Sequence, residues 1–591
     1  MPSKQTIPRG EYPRPQLSRE EWLCLNGPWS FDVDAGGNGE GLGWPEKPRL
    51  GRRIIVPFCP ESRLSGIGTR DFMPCVWYAR KFSIPRPWRR RRVLLHFGAV
   101  DYEATVWVNG RRVGFHRGGY TPFTCEITDA LVSGANLLVV RAVDDTRSRL
   151  QPSGKQSMGY DSHGCLYTRV TGIWQTVWAE PVGRSFIRSL RMIGDPAGGR
   201  IRVEAELDSP SESLVLSAEA RAGRRIVGRT EVSAASGTAL CTIDLDHVRL
   251  WDVDDPFLYG LKLTLRDEGG AVDCVGSYFG LRSVTLDGPA ILLNGQPVFQ
   301  RLVLDQGYYP TGLYTAPRDA QLKRDILSAQ QLGFNGARLH QKVFEPRFLY
   351  WADRLGYLVW GEYADWGIDR GRGEAVRRLA AEWTEVVRRD FNHPSIVGWC
   401  PFNEARGWSD PQMLRDVYRL TKALDPTRPA IDASGYDHFE TDVYDCHSYQ
   451  QDPRKFSALF AAFAGGGRPY SNFQDTTPYS GQPYFVSEYG GIWWNPGQSR
   501  GDAAWGYGDR PRTRKEFVER YRKLTTSLLR HPRMCGFCYT QLYDIEQEVN
   551  GLLTYDRKMK FDPKVIAAVN SQVAAIERPP RQGTQARSAR R

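Results

Sequence analysis

The chain has 591 residues, 41% of them hydrophobic and 25% charged, with a net charge of +12. At roughly 150 residues per domain this allows about four domains, or three if one is a large α/β barrel. The charge is Arg scattered along the chain, with its densest run (Arg89 to Arg92) in a solvated loop, and no run of about 18 apolar residues exists; nucleic-acid binding and a membrane-spanning helix are excluded.

Met1 to Arg9 carries no apolar stretch after its basic residues, so no secretory signal is visible and a cytoplasmic location is expected. The first 182 residues read as all-β. Val93 to Phe97, Ala104 to Val108 and Leu137 to Val143 are short alternating runs, and Asn109-Gly110 is a strong hairpin signal. A β-sandwich of the jelly-roll kind is expected for residues 1–182. From 183 to 282 the alternation continues in a different texture, as in Ile201 to Leu207, and predicts an immunoglobulin-like sandwich of six or seven strands.

From 283 to 577 the rhythm becomes strand, helix, strand, helix. Eight candidate strands begin near Val298, Asn335, Tyr357, Ile396, Ala430, Asp442, Tyr484 and Met534. Helices are predicted from near Pro317, from Glu374 to Asp390, and from Pro411 to Leu424. This is the pattern of a (β/α)8 TIM barrel. The tail, 578–591, is Arg, Gly, Gln and Ser without apolar pattern, and disorder is expected there. The 11 Cys are odd in number and widely spaced, which argues for a reducing compartment. Cys535 and Cys538 form the single Cys-x-x-Cys; they lie in an apolar strand with no second pair at zinc spacing, so they read as buried structural thiols.

A TIM barrel places its chemistry at the C-terminal ends of its strands. The fourth strand runs from Ile396 to Asn403-Glu404, and the seventh from Tyr484 to Ser487-Glu488. Both are apolar strands that end on a carboxylate, and three strands apart they face each other across the mouth. A facing carboxylate pair is what glycoside hydrolysis needs: one protonated to help the leaving oxygen, one ionised to attack the anomeric carbon. Arg338 ends the second strand, where a cation keeps a nucleophile ionised. Asn403 is placed to bond a sugar 2-hydroxyl. His340, His447, Tyr449, Asp305 and Trp366, with Glu362 and Asp365, also fall at strand ends. Trp493 and Tyr543 are candidate subsite walls. Tyr160 to His163, in a polar loop of the first domain, is a candidate sugar contact or an ordinary loop.

On these motifs the chain resembles glycoside hydrolase family two, the β-galactosidase, β-glucuronidase and β-mannosidase group. The match runs from about residue 10 to 575. Its most specific pieces are Asn403-Glu404, Ser487-Glu488-Tyr489-Gly490, and Gly333-Phe334-Asn335 leading to Arg338. Val106 to Gly110, Gly119 to Phe123 and Gly172-Ile173-Trp174-Gln175 also fit. The resemblance implies Glu404 as acid/base, Glu488 as nucleophile, double displacement with retention, no organic cofactor and a carbohydrate partner. It also implies a homo-oligomer, although no helix here shows a heptad seam.

The family's β-glucuronidases grip the sugar carboxylate with an Asn-x-Lys pair. The comparable segment, Val549 to Asp556, lacks that Lys, and the expected activity is therefore β-galactosidase-like. Arabinopyranosidase, galactofuranosidase and glucuronidase activity are the alternatives, with no metal expected. An inverting hydrolase and a non-catalytic carbohydrate-binding protein on the same scaffold are the rival readings.

Overall fold

The computed structural model describes residues 7–406, 410–473, 477–495, 497 and 504–578. All but the first residue of the tail expected to be disordered lies outside the described residues.

The first domain is two facing antiparallel sheets, one of six strands and one of four. In the larger sheet Asn136–Val143 is central, pairing with Cys75–Phe82 on one side and Glu103–Val108 on the other. Alternate residues point inward. Leu138, Val140 and Ala142 meet Leu95, Phe97 and Val177 of the smaller sheet in one core. The hairpin at Asn109-Gly110 forms as expected, with Val108 opposite Arg111. The second domain is a sandwich of a three-stranded and a four-stranded sheet between Phe186 and Phe279. Its core is Ile201, Val203 and Ala205 against Leu216, Leu261 and Leu263.

A small three-stranded sheet comes next (Val284–Asp287, Ala290–Leu293, Gln296–Pro297), where the sequence rhythm predicts only barrel. Its inward residues Val284, Ile291 and Leu293 pack with Leu302, Trp360 and Phe485, and so plug the barrel's N-terminal end. The Asn294-Gly295 turn between its last two strands is the one local signal for it.

The barrel strands are β1 (Gln300–Asp305), β2 (Gly336–Leu339), β3 (Leu358–Glu362), β4 (Ile396–Cys400), β5 (Ala433–Ser434), β6 (Tyr444–Ser448), β7 (Tyr484–Gly490) and β8 (Met534–Thr540). Seven pair in parallel in the order β4-β3-β2-β1-β8-β7-β6. β5 joins through Phe402–Asn403, the extension of β4, with Asn403 opposite Ser434. The predicted strand starts hold to within three residues. The helices are α1 (Asp319–Gln331), α2 (Pro346–Leu355), α3 (Gly373–Asp390), α4 (Pro411–Leu424), α5 (Pro453–Leu459), α6 (Ala461–Ala464), α7 (Arg514–Leu529) and α8 (Pro563–Asn570). Pro411 opens α4 behind an Asp410 cap on Gln412 N, the arrangement that the Asp-Pro pair predicts. Among the described residues no helix separates β5 from β6, so the eight β/α units expected are incomplete there. No described helix is long and apolar enough to cross a membrane.

The first sandwich is clamped to the barrel by buried hydrogen bonds. Thr315 Oγ1 donates to the carbonyls of Pro57 (3.2 Å) and Trp174 (2.6 Å). Glu382, inside α3, accepts from Tyr120 N and from the Tyr363 hydroxyl, each at 2.7 Å. Burial is the main cause that lifts the Glu382 carboxyl from 4.5 to about 7. The folded state thus holds a proton that the unfolded state releases across that window, and stability falls as pH rises through it. Glu382→Gln keeps an acceptor for the Tyr120 amide and removes the ionisable group. It is expected to melt a few degrees above the parent at pH 8 and level with it at pH 5, by differential scanning calorimetry. A variant that melts lower at both pH values would show the charged carboxylate to be the stabilising form.

Candidate active site

The mouth is built outward from Arg338, which leaves the end of β2 with 1% of its side chain exposed. Its guanidinium donates to Glu362 at the end of β3 (2.6 Å), to Glu488 at the end of β7 (3.1 Å), and to Asn403 Oδ1 (2.9 Å). A further bond to the Ser487 carbonyl (2.8 Å) fixes the fork. One rigid cation therefore orients three strand ends at once. Burial pushes the Glu362 carboxyl up, but Arg338 and His340 outweigh it and bring it down to about 2. Glu362 is thus the permanent anion that balances Arg338.

Glu488 is 6% exposed. It accepts from Arg338 and from the Tyr449 hydroxyl. Burial opposes its charge, but His447, His340 and Arg338 outweigh burial and hold the carboxyl well below the usual range. His340 itself is pulled down by burial, despite lying 2.8 Å from Glu362. Burial also pulls His447 down, yet Glu488 and Glu404 outweigh it and raise its pKa.

His447 sits between the two glutamates, with Nδ1 at 2.8 Å from Glu404 and Nε2 at 3.5 Å from Glu488. Its place is set by Gly435, which follows β5 with φ +89°; a Cβ there would lie 2.3 Å from the imidazole. Glu404 is the more open glutamate, 21% exposed. Its backbone lies in the left-handed region, φ +50°, an unusual conformation for a side-chain-bearing residue. The bond from Glu404 N to the Ser434 carbonyl (2.9 Å) keeps it there. One ligand atom each of Glu404, His447 and Glu488 lie within 4.8 Å of one another. This is the one trio among the described residues with metal-ligand proximity.

The other candidates divide. Asn403 is 1% exposed, and its side-chain amide donates to no described residue, leaving that group for a ligand. Trp366 lies half-buried beside the mouth, its indole donating to the Asn403 carbonyl at 3.3 Å. Asp305 and Tyr543 bond to each other, and Gly307 N donates to both. Arg557 lies 3.6 Å over the Tyr543 ring and pairs with Asp325. Asp305 and Tyr543 thus satisfy each other at the end of β1. Trp493 follows β7 and packs against Gly506. Tyr160, in the segment read as either a sugar contact or an ordinary loop, points to solvent at 56% exposure.

Four residues escape sequence reading. Tyr507 stacks on Tyr449 at 3.5 Å. Tyr436, after β5, has its hydroxyl pKa raised by burial and then by Glu404 and Glu488. Glu548, after β8, accepts from Tyr167 (2.5 Å) and Asn550 (2.9 Å). Lys155 enters from the first sandwich. A groove among the outer helices, lined by Asp452, Arg454, Arg522 and Arg530, brings no carboxylates together.

A barrel behind two β-sandwiches, with two glutamates drawn together at its mouth, has the build of a glycoside hydrolase. Three family models match in order: "Glycosyl hydrolases family 2, sugar binding domain" over residues 64–159, "Glycosyl hydrolases family 2" over 192–282, and "Glycosyl hydrolases family 2, TIM barrel domain" over 316–560. The chain belongs to glycoside hydrolase family two. A β-glucuronidase of Paenibacillus borealis is 26% identical over 451 residues, which are 71% of this chain and 74% of that one. A β-galactosidase of Thermoanaerobacterium thermosulfurigenes is 26% identical over 433 residues, 70% of this chain but only 57% of its own length. The structure of a Lactobacillus rhamnosus β-glucuronidase superposes with a TM-score of 0.79 at 20% identity, covering 96% of this chain and 100% of that one. A Ruminococcus gnavus β-glucuronidase gives 0.78 at 20% identity over 95% and 99%. At that identity the structural likeness shows the fold.

Proposed function

We propose that the chain is a retaining exo-β-glycosidase, with Glu404 as general acid/base and Glu488 as nucleophile, acting on a neutral, β-galactose-like terminal sugar. The observation that carries this is the approach of the two carboxylates, whose nearest ligand atoms are within 4.8 Å. That is compatible with the about 5–5.5 Å between the carboxyl groups of a retaining pair, against about 6.5–9.5 Å for an inverting one. The asymmetry of the pair supports the assignment of roles. Glu488 is buried, held ionised and braced by Arg338 and Tyr449; Glu404 is more open, towards the leaving group and water. The mouth is rimmed on one side by Trp505 and Gln547, both donating to the Gly164 carbonyl of the first sandwich, which favours a chain end over a chain interior.

A neutral sugar is favoured by Glu548. It places a third buried carboxylate near Glu488, and a uronate would have to face both. β-Glucuronidase is the second reading, favoured by the ammonium of Lys155 and by the name of the Paenibacillus relative.

The test is a panel of nitrophenyl glycosides: β-galactopyranoside, β-glucuronide, β-glucoside, β-mannoside, α-arabinopyranoside and β-galactofuranoside. One sugar is expected to dominate, with β-galactopyranoside first. NMR of the early product should show the β-anomer before mutarotation. An α-anomer first would overturn retention, and cleavage of the β-glucuronide alone would move the substrate to the second reading.

A further inference from the structure

Lys155 is an unusual residue for its position. It belongs to the first sandwich, yet its side chain ends over the Trp366 ring of the barrel, with Nζ 3.9 Å from the ring centroid. The residue is only 6% exposed. Among the described residues its ammonium makes no hydrogen bond and has no carboxylate within the 4.0 Å of an ion pair. An ammonium offers three donors. Nothing among the described residues satisfies them.

The chain spends several contacts to hold this side chain in place. Ser153 N donates to the Trp366 carbonyl at 2.8 Å, and Gly154 N reaches the carbonyls of Ala364 and Trp366, each at 3.2 Å. Gly154 has φ +54°, and a Cβ there would lie 2.1 Å from the Gln341 carbonyl oxygen. Only glycine lets the segment sit this close to the barrel. On its other side, the Lys155 carbonyl accepts from Tyr167 N at 2.7 Å, and the Tyr167 hydroxyl donates to Glu548. One tyrosine thereby ties the ammonium's backbone to the β8 carboxylate.

Burial opposes the ammonium's charge, and Cys165 and three carboxylates, Glu548, Glu488 and Glu404, favour it. None of the three carboxylates is within ion-pair reach of the ammonium, which leaves room for a group that can accept from it and donate to them. A sugar hydroxyl is both donor and acceptor and is such a group. Trp366, beside the Asn403 carbonyl, provides a ring edge to the same space.

We propose that Lys155 is a sugar-binding residue supplied by the first sandwich, its ammonium donating to oxygens of the terminal sugar, with Glu548 completing the contact from β8. The barrel alone is then an incomplete site. This rests on the glycosidase reading for its substrate, but the ligand contact is testable without turnover.

Lys155→Met keeps the aliphatic stem over Trp366 and removes the donors; Lys155→Arg keeps the charge. On the preferred aryl glycoside, Lys155→Met is expected to raise KM about 30-fold or more while kcat changes a few-fold, and Lys155→Arg to recover part of the loss. Glycosides lacking one hydroxyl at a time locate the partner: the deoxygenated substrate that Lys155 reads should be poor for the parent and no worse for Lys155→Met. If a glucuronide is the preferred substrate, the same comparison against the glucoside assigns the contact to the carboxylate. Changes below about threefold on all sugars, or an equal loss on every deoxy glycoside, would overturn the proposal. Binding of the panel's free monosaccharides is then measured by calorimetry on Glu488→Gln with and without Lys155→Met. Binding lost only with Lys155→Met upholds the contact even if the parent hydrolyses nothing, which would sink the glycosidase reading alone. Equal binding by both proteins, or none by either, counts against Lys155.

Discussion

Glu488→Gln is expected to lower kcat by about 10⁴-fold or more on the preferred aryl glycoside, some 5 kcal/mol of barrier, because an amide cannot form the glycosyl-enzyme. The fold should survive. Arg338 keeps Glu362 at 2.6 Å, so the buried guanidinium is not left without an anion. Stability gives a second readout. Glu488 has its folded pKa depressed, so its contribution is present above the ordinary carboxylate range and lost as pH falls through the folded value. The variant should therefore be less stable than the parent at neutral pH, with the difference closing in acid. A 2-deoxy-2-fluoro glycoside of the preferred sugar should label the parent on the peptide carrying Glu488, seen by mass spectrometry. Label on another residue, or turnover by the variant above about one per cent of the parent, would refute the assignment.

Glu404→Ala should separate substrates by leaving group. An alkyl glycoside needs protonation as its bond breaks and should lose about 10³-fold or more; a dinitrophenyl glycoside needs little and should keep most of its first step. With that substrate the second step becomes limiting, since no base activates water. Added azide needs no base, so it should speed turnover and give a β-glycosyl azide. Equal loss on both substrates, with no response to azide, would mean that Glu404 serves the fold and another group is the acid. The strained φ of +50° at Glu404 makes the control important, and a matching circular dichroism spectrum supplies it.

The parts of this molecule that are legible in the sequence are those that repeat or end abruptly. Seven of the eight barrel strands are runs of four to seven residues, and Glu404 and Glu488 stand out because nothing apolar about their strands calls for a terminal carboxylate. Arg338 is legible for the same reason. The small sheet at 284–297 is not, because its strands are too short to interrupt the rhythm of the barrel strands beyond it. Nor is the missing helix between β5 and β6, where a strand of two residues gives no period to read.

The residues missed at the site share one property. Tyr436, Tyr507 and Glu548 sit on loops whose paths are set by contacts distant in sequence, and Lys155 meets Trp366 across more than two hundred positions. Lys155 carries no local signal: in its own strand-poor segment it reads as a solvated cation. The neighbouring Tyr160 to His163 looks the richer in sugar-binding types, yet the fold turns Tyr160 outward and Lys155 in. The pairing of Asp305 with Tyr543 is likewise not legible, since the two are more than two hundred positions apart.

The clamp at Ser153 and Gly154 has a practical meaning for protein engineering. The carbonyls of Ala364 and Trp366, on the loop that carries the Trp366 ring, are capped by amides from a separate domain. A barrel excised at residue 283, or grafted behind another enzyme's sandwich, would expose those carbonyls and release the loop. Chimeras made by swapping whole barrels should accordingly fold poorly or lose substrate preference unless residues 153–157 travel with them. For directed evolution of specificity, the smallest transferable cassette spans two domains, and libraries confined to the barrel loops would leave one wall of the pocket unvaried.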